Sequence, residues 1–194
     1  MSDFAQGMAY HSGTMLDPAV GSLIVACFAT LFATAGLHKL RDLRRFDEVF
    51  TAYALGPRTG RLRTATLVPL LELAVTVGLL GGASRGYAAL AGAALLIAYA
   101  SAVAVNLRRG RWDLDCGCGG PSGERKIAPW MVWRNLALAA VLTAVLLPWS
   151  ARSLTATDAL TIGCGLVSAS LLYLCLDRLL GPTGRRTTEL RSRS

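Results

Sequence analysis

Five long apolar runs, separated by polar connections, restrict the fold of this chain more than any other feature. A helix needs about 20 apolar residues to cross the hydrocarbon core of a bilayer. The chain is 53% hydrophobic and only 16% charged, whereas about a quarter of the residues in a soluble domain are charged. The sequence therefore predicts an all-α polytopic membrane helix bundle, with a four-helix core and a C-terminal span. The predicted spans are Val20–Leu40, Ala65–Gly82, Gly86–Leu107, Trp130–Trp149 and Ala159–Leu180.

The positions of lysine and arginine predict the orientation of these spans, because cytoplasmic connections carry an excess of both residues. The first connection holds seven, the third five and the C-terminal tail five, whereas the N-terminal tail holds none. The second and fourth connections hold one each. The rule places the N-terminus outside an inner or plasma membrane, and the third connection and the C-terminus in the cytoplasm.

The orientation of the spans thus explains the excess of basic residues behind the formal net charge of +8. The sequence lacks the interleaved aromatic and basic residues that would indicate a nucleic-acid surface. We therefore expect the chain to be surrounded by the lipid bilayer and not to bind nucleic acid. The predicted organisation is an extracytoplasmic tail at 1–19, a transmembrane domain at 20–180 with a cysteine-containing loop at 107–129, and a basic tail at 181–194 that we expect to be disordered.

Cys116 and Cys118 lie in that loop, separated by one glycine. Two such thiols can form a disulfide, bind a soft metal or exchange with the disulfide of another protein. A disulfide closed across a single residue departs from relaxed geometry, which makes it easier to reduce. We therefore assign both cysteines a catalytic role in thiol exchange, without assigning their order.

Two alternatives for this pair stay open. The first is half of a metal site, but a zinc site needs four ligands and His38 is the obvious further candidate. The second is a pair of free thiols without chemistry. We predict neither a bound metal nor a cofactor.

Glu72 and Arg134 lie well inside predicted spans, where a charged side chain costs about 2.5–3.5 kcal/mol near the bilayer centre. Both lie near the cytoplasmic ends of their helices, so we expect them to pair. The alternative is that the long Arg134 side chain extends alone to the interface.

Four further polar residues fall near the same helix ends, where they would surround the mouth of the bundle below the cysteine loop: His38, Lys39, Asn106 and Asn135. A histidine beside a thiol pair can donate or accept a proton. His38 and Lys39 are equally typical of interfacial anchors.

The remaining sequence features favour packing over chemistry. Cys27, Cys164 and Cys175 lie inside apolar runs, where cysteine usually acts as a small apolar residue. Gly78 and Gly82 form a G-x-x-x-G pattern that is typical of close helix contacts.

Several sequence segments together resemble a known family. A basic connection precedes Asp-Cys-Gly-Cys-Gly-Gly at 115–120, and an apolar helix then contains Arg-Asn-Leu at 134–136. The first span ends with Gly-Leu-His-Lys-Leu at 36–40, and the second contains Pro-Leu-Leu-Glu at 69–72. Over about Val20 to Trp149, the chain resembles the methylamine-utilisation membrane protein family MauE, within the wider DoxX-like group.

The resemblance implies an inner-membrane protein concerned with disulfide handling during maturation of methylamine dehydrogenase, together with a thioredoxin-like or disulfide-rich protein partner. That maturation is extracytoplasmic, whereas the charge rule places the cysteine loop inside. The expected function is thiol–disulfide exchange by a membrane maturation factor. Two other classes stay open: a non-catalytic scaffold that recruits a thioredoxin-like protein, and a small-solute or metal transporter.

Overall fold

The computed structural model describes residues 15–53, 61–115 and 126–180, and the side chains of all these except 61–64, 177, 178 and 180. The predicted N-terminal tail up to residue 14, the two loop cysteines and the C-terminal tail lie outside these ranges. Within the described residues the chain forms six α-helices: α1 Pro18–Arg41, α2 Leu43–Ala52, α3 Arg61–Leu80, α4 Arg85–Arg108, α5 Pro129–Thr143 and α6 Ala156–Leu180.

The predicted membrane helix bundle is confirmed. Helices α1 and α4, the α5 segment Pro129–Leu146 and most of α6 are long and apolar enough to cross a bilayer, and α3 contains the shorter apolar stretch Ala65–Leu80. Helix α3 continues through Pro69 without interruption. Helix α5 ends before the predicted Trp149, with one 3-10 turn at Ala144–Leu146.

Local sequence sets the ends of these helices. Asp17 caps α1 by accepting a hydrogen bond from the Ala19 amide at 2.8 Å, and Pro18 provides the first helical residue. Asp42 separates α1 from α2 and caps α2 in the same way, through the Arg45 amide at 3.1 Å. Helix α2 falls inside the first basic connection, for which no helix was predicted.

Successive spans run in opposite directions, which gives the bundle two ends. The Lys39 end contains α2, the C-termini of α1 and α4 and the N-termini of α3 and α5. The Asp17 end contains the N-termini of α1, α4 and α6. Helix α1 packs on α3 and α6, while α4 packs on α3 and α5.

Small residues allow these close contacts. A Cβ atom at Gly78 would lie 2.8 Å from the Cβ atom of Ala88, so α3 and α4 approach closely there. Gly82 has no heavy atom within 4 Å of the corresponding position. Only Gly78 of the G-x-x-x-G pair therefore contributes to packing inside the bundle.

The Asp17 end is held together by a cluster of charged side chains, which we call the Arg152 cluster. Arg152 donates to Asp17 at 3.0 Å and to Asp158, near the start of α6, at 2.7 Å. The Arg152 hydrogen bond, followed by the Ala19 amide, holds the pKa of Asp17 below its usual range. The two carboxylates raise the pKa of Arg152 further above its ordinary value. The cluster connects the start of α1 to the start of α6.

Helix α6 lies on the outside of the bundle. None of its described side chains is buried, and the exposed ones include Leu160, Val167 and Leu171. It approaches α1 where a Cβ atom at Gly165 would be 3.0 Å from Leu23. Cys164 and Cys175 are exposed free thiols on this helix, and Cys27 on α1 is half-buried. The assignment of these three cysteines to packing stays a prediction.

Candidate functional site at the Lys39 end

A buried ion pair lies inside the Lys39 end. The Lys39 ammonium contacts the Glu72 carboxylate, and their side chains are only 8% and 1% exposed. The Tyr99 hydroxyl donates to the same carboxylate oxygen, Glu72 Oε1, at 2.6 Å, and Lys39 Nζ lies 3.2 Å from that hydroxyl. Helices α1, α3 and α4 each provide one of the three residues, so the cluster fixes three spans relative to one another.

The surroundings of this pair are aromatic and apolar. Lys39 Nζ lies 4.9 Å from the Tyr99 ring centroid and 5.4 Å from that of Phe46 on α2. The second carboxylate oxygen, Glu72 Oε2, is buried without a hydrogen-bond partner among the described residues. An ammonium in this position gains from the ring faces as well as from the carboxylate.

Gly36 lets the two charged residues meet. A Cβ atom at this position would lie 3.1 Å from the Pro69 carbonyl oxygen and 3.3 Å from Glu72 Cβ. Lys39 follows Gly36 by three residues, on the same face of α1. The absence of a side chain at Gly36 therefore brings α3 close enough for Glu72 to bind the Lys39 ammonium.

The predicted pairing of Glu72 with Arg134 is wrong. One Glu72 oxygen binds Lys39 and Tyr99, and the other has no partner among the residues described. The Arg134 guanidinium instead lies 4.9 Å from the Trp130 ring centroid and 5.6 Å from that of Tyr173. It thus links α5 to α6, whereas the carboxylate lies between α1, α3 and α4.

Sequence reasoning identified Lys39 and Glu72 as site residues but not as partners, and it missed Tyr99. The signal for Tyr99 was a phenolic hydroxyl deep in an apolar run, which must find a hydrogen-bond partner there. Lys39 was also typical of an interfacial anchor, but its side chain is buried in the bundle.

The other predicted polar residues do not join this cluster. Asn106 is fully buried, and its Nδ2 donates to the Tyr53 carbonyl at 3.2 Å and to the Ala102 carbonyl at 3.0 Å. Asn135 is buried on α5, and His38 is exposed on α1. Among the residues that the structure describes, no three histidine, cysteine or acidic residues lie close enough to hold a metal ion.

The base of the cysteine loop is closed by backbone pairing, and we call its four residues the neck: Leu114, Asp115, Lys126 and Ile127. Asp115 and Lys126 form an antiparallel bridge, and the Ile127 amide donates to the Leu114 carbonyl at 3.0 Å. Lys126 Nζ also contacts Asp113 at 2.5 Å. The segment 116–125, with Cys116 and Cys118, thus leaves and re-enters the described structure at one place. Both cysteines themselves lie outside the described residues.

A second apolar cluster supports the neck. Buried side chains of Tyr53, Val103, Ile127 and Met131 pack together. They come from the end of α2, from α4, from the neck and from α5. The neck is therefore attached to the same bundle end that contains the buried ion pair.

Comparisons with known proteins identify the family of the chain. The family described as methylamine utilisation protein MauE matches residues 17–150. The protein of that name from Methylophilus methylotrophus is 35% identical over 183 residues, covering 90% of this chain and 96% of the relative. The protein of the same name from Paracoccus denitrificans is 33% identical, covering 90% and 95%. That from Paracoccus versutus is 38% identical, covering 81% and 84%.

No solved structure matches the chain. The family match begins at the residue that caps α1 and ends just before Arg152, so it covers the four-helix core, the buried pair and the whole cysteine loop. The relatives also match most of the full length. This chain is a multi-pass membrane protein that belongs to the MauE family.

Proposed function

We propose that this chain is a thiol–disulfide exchange factor of methylamine utilisation, which acts in the membrane through Cys116 and Cys118. The neck is the observation that carries the proposal. The neck pairs the two ends of the segment that contains both cysteines, and this pairing lies at one end of the membrane bundle. A neighbouring side chain contacts Asp115 of the neck and helps to fix its position. The names of the relatives support the pathway, since they are methylamine utilisation proteins.

The exchange proceeds in two steps. The thiolate of one loop cysteine attacks a sulfur of the partner's disulfide, which forms a mixed disulfide and releases one partner thiolate. The second loop thiolate then attacks the mixed disulfide, which closes the bond between Cys116 and Cys118 and releases the second partner thiolate. Two electrons pass from the loop to the partner, and the reverse sequence oxidises the partner. The proposed partner is a thioredoxin-like or disulfide-rich protein.

Trapping the mixed disulfide tests this proposal. In cells that express the full chain, Cys116→Ser and Cys118→Ser should differ, because replacing the second attacking cysteine leaves the partner covalently bound. We expect an adduct on a non-reducing gel that a reductant dissolves, and its loss in the double variant. A chain in which Cys27, Cys164 and Cys175 are replaced by alanine is the matched control, and it should form the adduct normally when the resolving loop cysteine is also replaced.

The scaffold alternative has a different outcome. If the double variant supports maturation of methylamine dehydrogenase as well as the unchanged chain, and neither single variant forms an adduct, the exchange proposal is wrong. Metal bound by the purified protein, and lost with either thiol, would identify a metal site instead.

The proposed orientation places the Lys39 end and the loop in the cytoplasm, on the basis of the lysine and arginine distribution. A thiol reagent that cannot cross membranes should therefore label Cys116 and Cys118 only after the cells are opened. Labelling in intact cells would place the loop on the outer side, where maturation of the dehydrogenase is expected.

A further inference from the structure

Lysine is rare in this chain. The 20 basic residues are 18 arginines and two lysines, Lys39 and Lys126. The Lys126 side chain is 56% exposed, whereas that of Lys39 is 8% exposed. An ammonium is a compact charge with three donors, whereas a guanidinium is planar and larger. The buried cluster at the Lys39 end therefore contains the kind of cation that the rest of the chain hardly uses.

The surroundings of this cation have the chemistry of a binding site for an ammonium ion. The Glu72 carboxylate contacts Lys39 Nζ, and the ring centroids of Tyr99 and Phe46 lie 4.9 Å and 5.4 Å from the same atom. Proteins bind ammonium ligands against aromatic rings, and the attraction is stronger where water is excluded. We call Glu72, Tyr99 and Phe46 the ammonium site, in which the Lys39 ammonium is the bound group.

The carboxylate of the ammonium site has an unused acceptor. Tyr99 and Lys39 both donate to Glu72 Oε1, whereas Glu72 Oε2 is buried without a hydrogen-bond partner among the described residues. The Glu72 side chain is 1% exposed, and a buried acceptor that lacks a donor is costly. A free primary ammonium has three N–H donors, so it can donate to both oxygens, whereas the tethered Lys39 ammonium donates to one.

Lys39 is placed so that its side chain can leave the ammonium site. It lies two residues before the end of α1 at Arg41, and the adjacent His38 is exposed. A lysine near the end of a membrane helix has a flexible stem that can carry its ammonium to the interface. The bound ammonium can therefore be exchanged without separation of the helices.

From these contacts we propose that Glu72, Tyr99 and Phe46 bind a small primary ammonium ion, which competes with the Lys39 ammonium for the same place. The inference goes beyond the proposed thiol exchange and depends on neither loop cysteine. It makes the ammonium site a receptor for a cation, in addition to the part that its residues have in fixing the helices.

The Lys39 side chain itself reports the exchange. The full chain is prepared in detergent with carbon-13 at the ε-carbon of lysine, which gives two NMR signals, one from Lys39 and one from the exposed Lys126. Methylammonium chloride is then titrated at constant ionic strength. The Lys39 signal should move towards the position of the Lys126 signal and saturate. The Lys126 signal should hardly move, because its ammonium is already in solvent and screened by salt.

Two controls separate binding from a general effect of salt. Tetramethylammonium has no N–H group and cannot donate to the carboxylate, so its effect on the Lys39 signal should be about tenfold smaller at equal concentration. Glu72→Gln keeps the shape of the side chain but removes its charge, and it should abolish the saturable shift. A Lys39 signal that stays in place, or that drifts equally with the Lys126 signal, would show a purely structural ion pair and would overturn the inference.

Removal of the tethered competitor tests the site independently. Lys39→Ala deletes three carbons and the ammonium, and propylammonium supplies the same atoms. A tethered group has an effective concentration in the millimolar range, so half-saturation by propylammonium should need about tenfold less ligand than in the unchanged chain. The readout is the rise in melting temperature over equal sodium chloride, which the Lys39→Ala, Glu72→Gln double variant should lack. No rise in Lys39→Ala contradicts the inference.

A primary ammonium is also part of the phosphatidylethanolamine headgroup. The titration is therefore repeated in bicelles of phosphatidylcholine, with and without phosphatidylethanolamine. Because the ammonium site is enclosed, we expect the Lys39 signal to be the same in both bicelles and to move only with the free ion. Movement caused by phosphatidylethanolamine alone would support the site and identify the lipid headgroup as its ligand.

Discussion

The Lys39–Glu72 pair and the Arg152 cluster join the same kinds of charged groups at opposite ends of the bundle. The first is enclosed by α1, α3 and α4, with side chains 8% and 1% exposed. The second lies at the surface, with the Arg152 side chain 42% exposed and that of Asp17 45% exposed. Water can replace each contact of Arg152, whereas the Lys39 and Glu72 side chains are enclosed by helices and shielded from it.

This difference separates two uses of an ion pair. A charge buried in the membrane is tolerated only with its partner, so the Lys39–Glu72 pair selects one arrangement of three helices. An exposed pair is screened by solvent and salt, so it can hold α6 in place without deciding the fold. We therefore expect variants at the two ends to differ both in size of effect and in dependence on salt.

The largest effect is expected from breaking the buried pair. Either Glu72→Gln or Lys39→Met leaves a buried charge without its partner, at a cost of about 3–5 kcal/mol. The double variant should lose clearly less than the sum of the two single losses. Unfolding in detergent, followed by circular dichroism, measures all three. Combining Glu72→Gln with Arg134→Gln is the control and should give additive losses, since these residues are not partners.

Removal of the Tyr99 hydroxyl should have the next largest effect. Tyr99→Phe keeps the ring beside the Lys39 ammonium but removes the donor to Glu72 Oε1. Hydrogen bonds to charged groups contribute about 1.5–3 kcal/mol, so the loss should lie in that range in the same unfolding measurement. Tyr87→Phe, at an exposed position near the start of α4, should have little effect. Equal losses from both would argue against the three-residue cluster.

A side chain at Gly36 should weaken the buried pair indirectly. In Gly36→Ala the added methyl group meets the Pro69 carbonyl, and overpacking of this kind costs about 1–3 kcal/mol. Gly163→Ala adds the same methyl group on α6 where no heavy atom lies within 4 Å, and it should not destabilise the bundle. Comparing the changes in melting temperature of the two variants contrasts a packed helix surface with a lipid-facing one.

The smallest effect is expected at the Arg152 cluster. Arg152→Gln should lower the melting temperature slightly at low salt and hardly at all at high salt. Because the folded-state pKa of Asp17 is lowered, its contribution is present above about pH 4, the unfolded value, and is lost as the pH falls through the folded value. The acid-dependent loss of melting temperature should therefore be smaller in Arg152→Gln. A large loss of melting temperature that does not depend on salt would show that the Arg152 cluster behaves like the buried Lys39–Glu72 pair, and would contradict the comparison.

The sequence predicted the number and approximate limits of the membrane helices because length and apolarity alone decide which segments enter a bilayer. It did not predict which charges pair. Similar depth made Arg134 a reasonable partner for Glu72, but partner choice depends on which helices are neighbours, and Gly36 determines that through a contact between α1 and α3. Helix α2 was missed because Leu43–Ala52, ten residues of which four are charged, does not resemble a span.

The position of α6 outside the packed core has a consequence for where the chain ends. Each crossing moves the chain to the opposite side of the membrane, so four crossings return it to the side on which it started. Helix α6 begins at the Asp17 end, beside Arg152, and its Tyr173 lies near Arg134 at the Lys39 end. Over the described residues this is the fifth passage between the two ends of the bundle, so the count is odd although α6 adds no buried side chain. A reporter fused after Ser150 and one fused after Leu180 should therefore be found in different compartments.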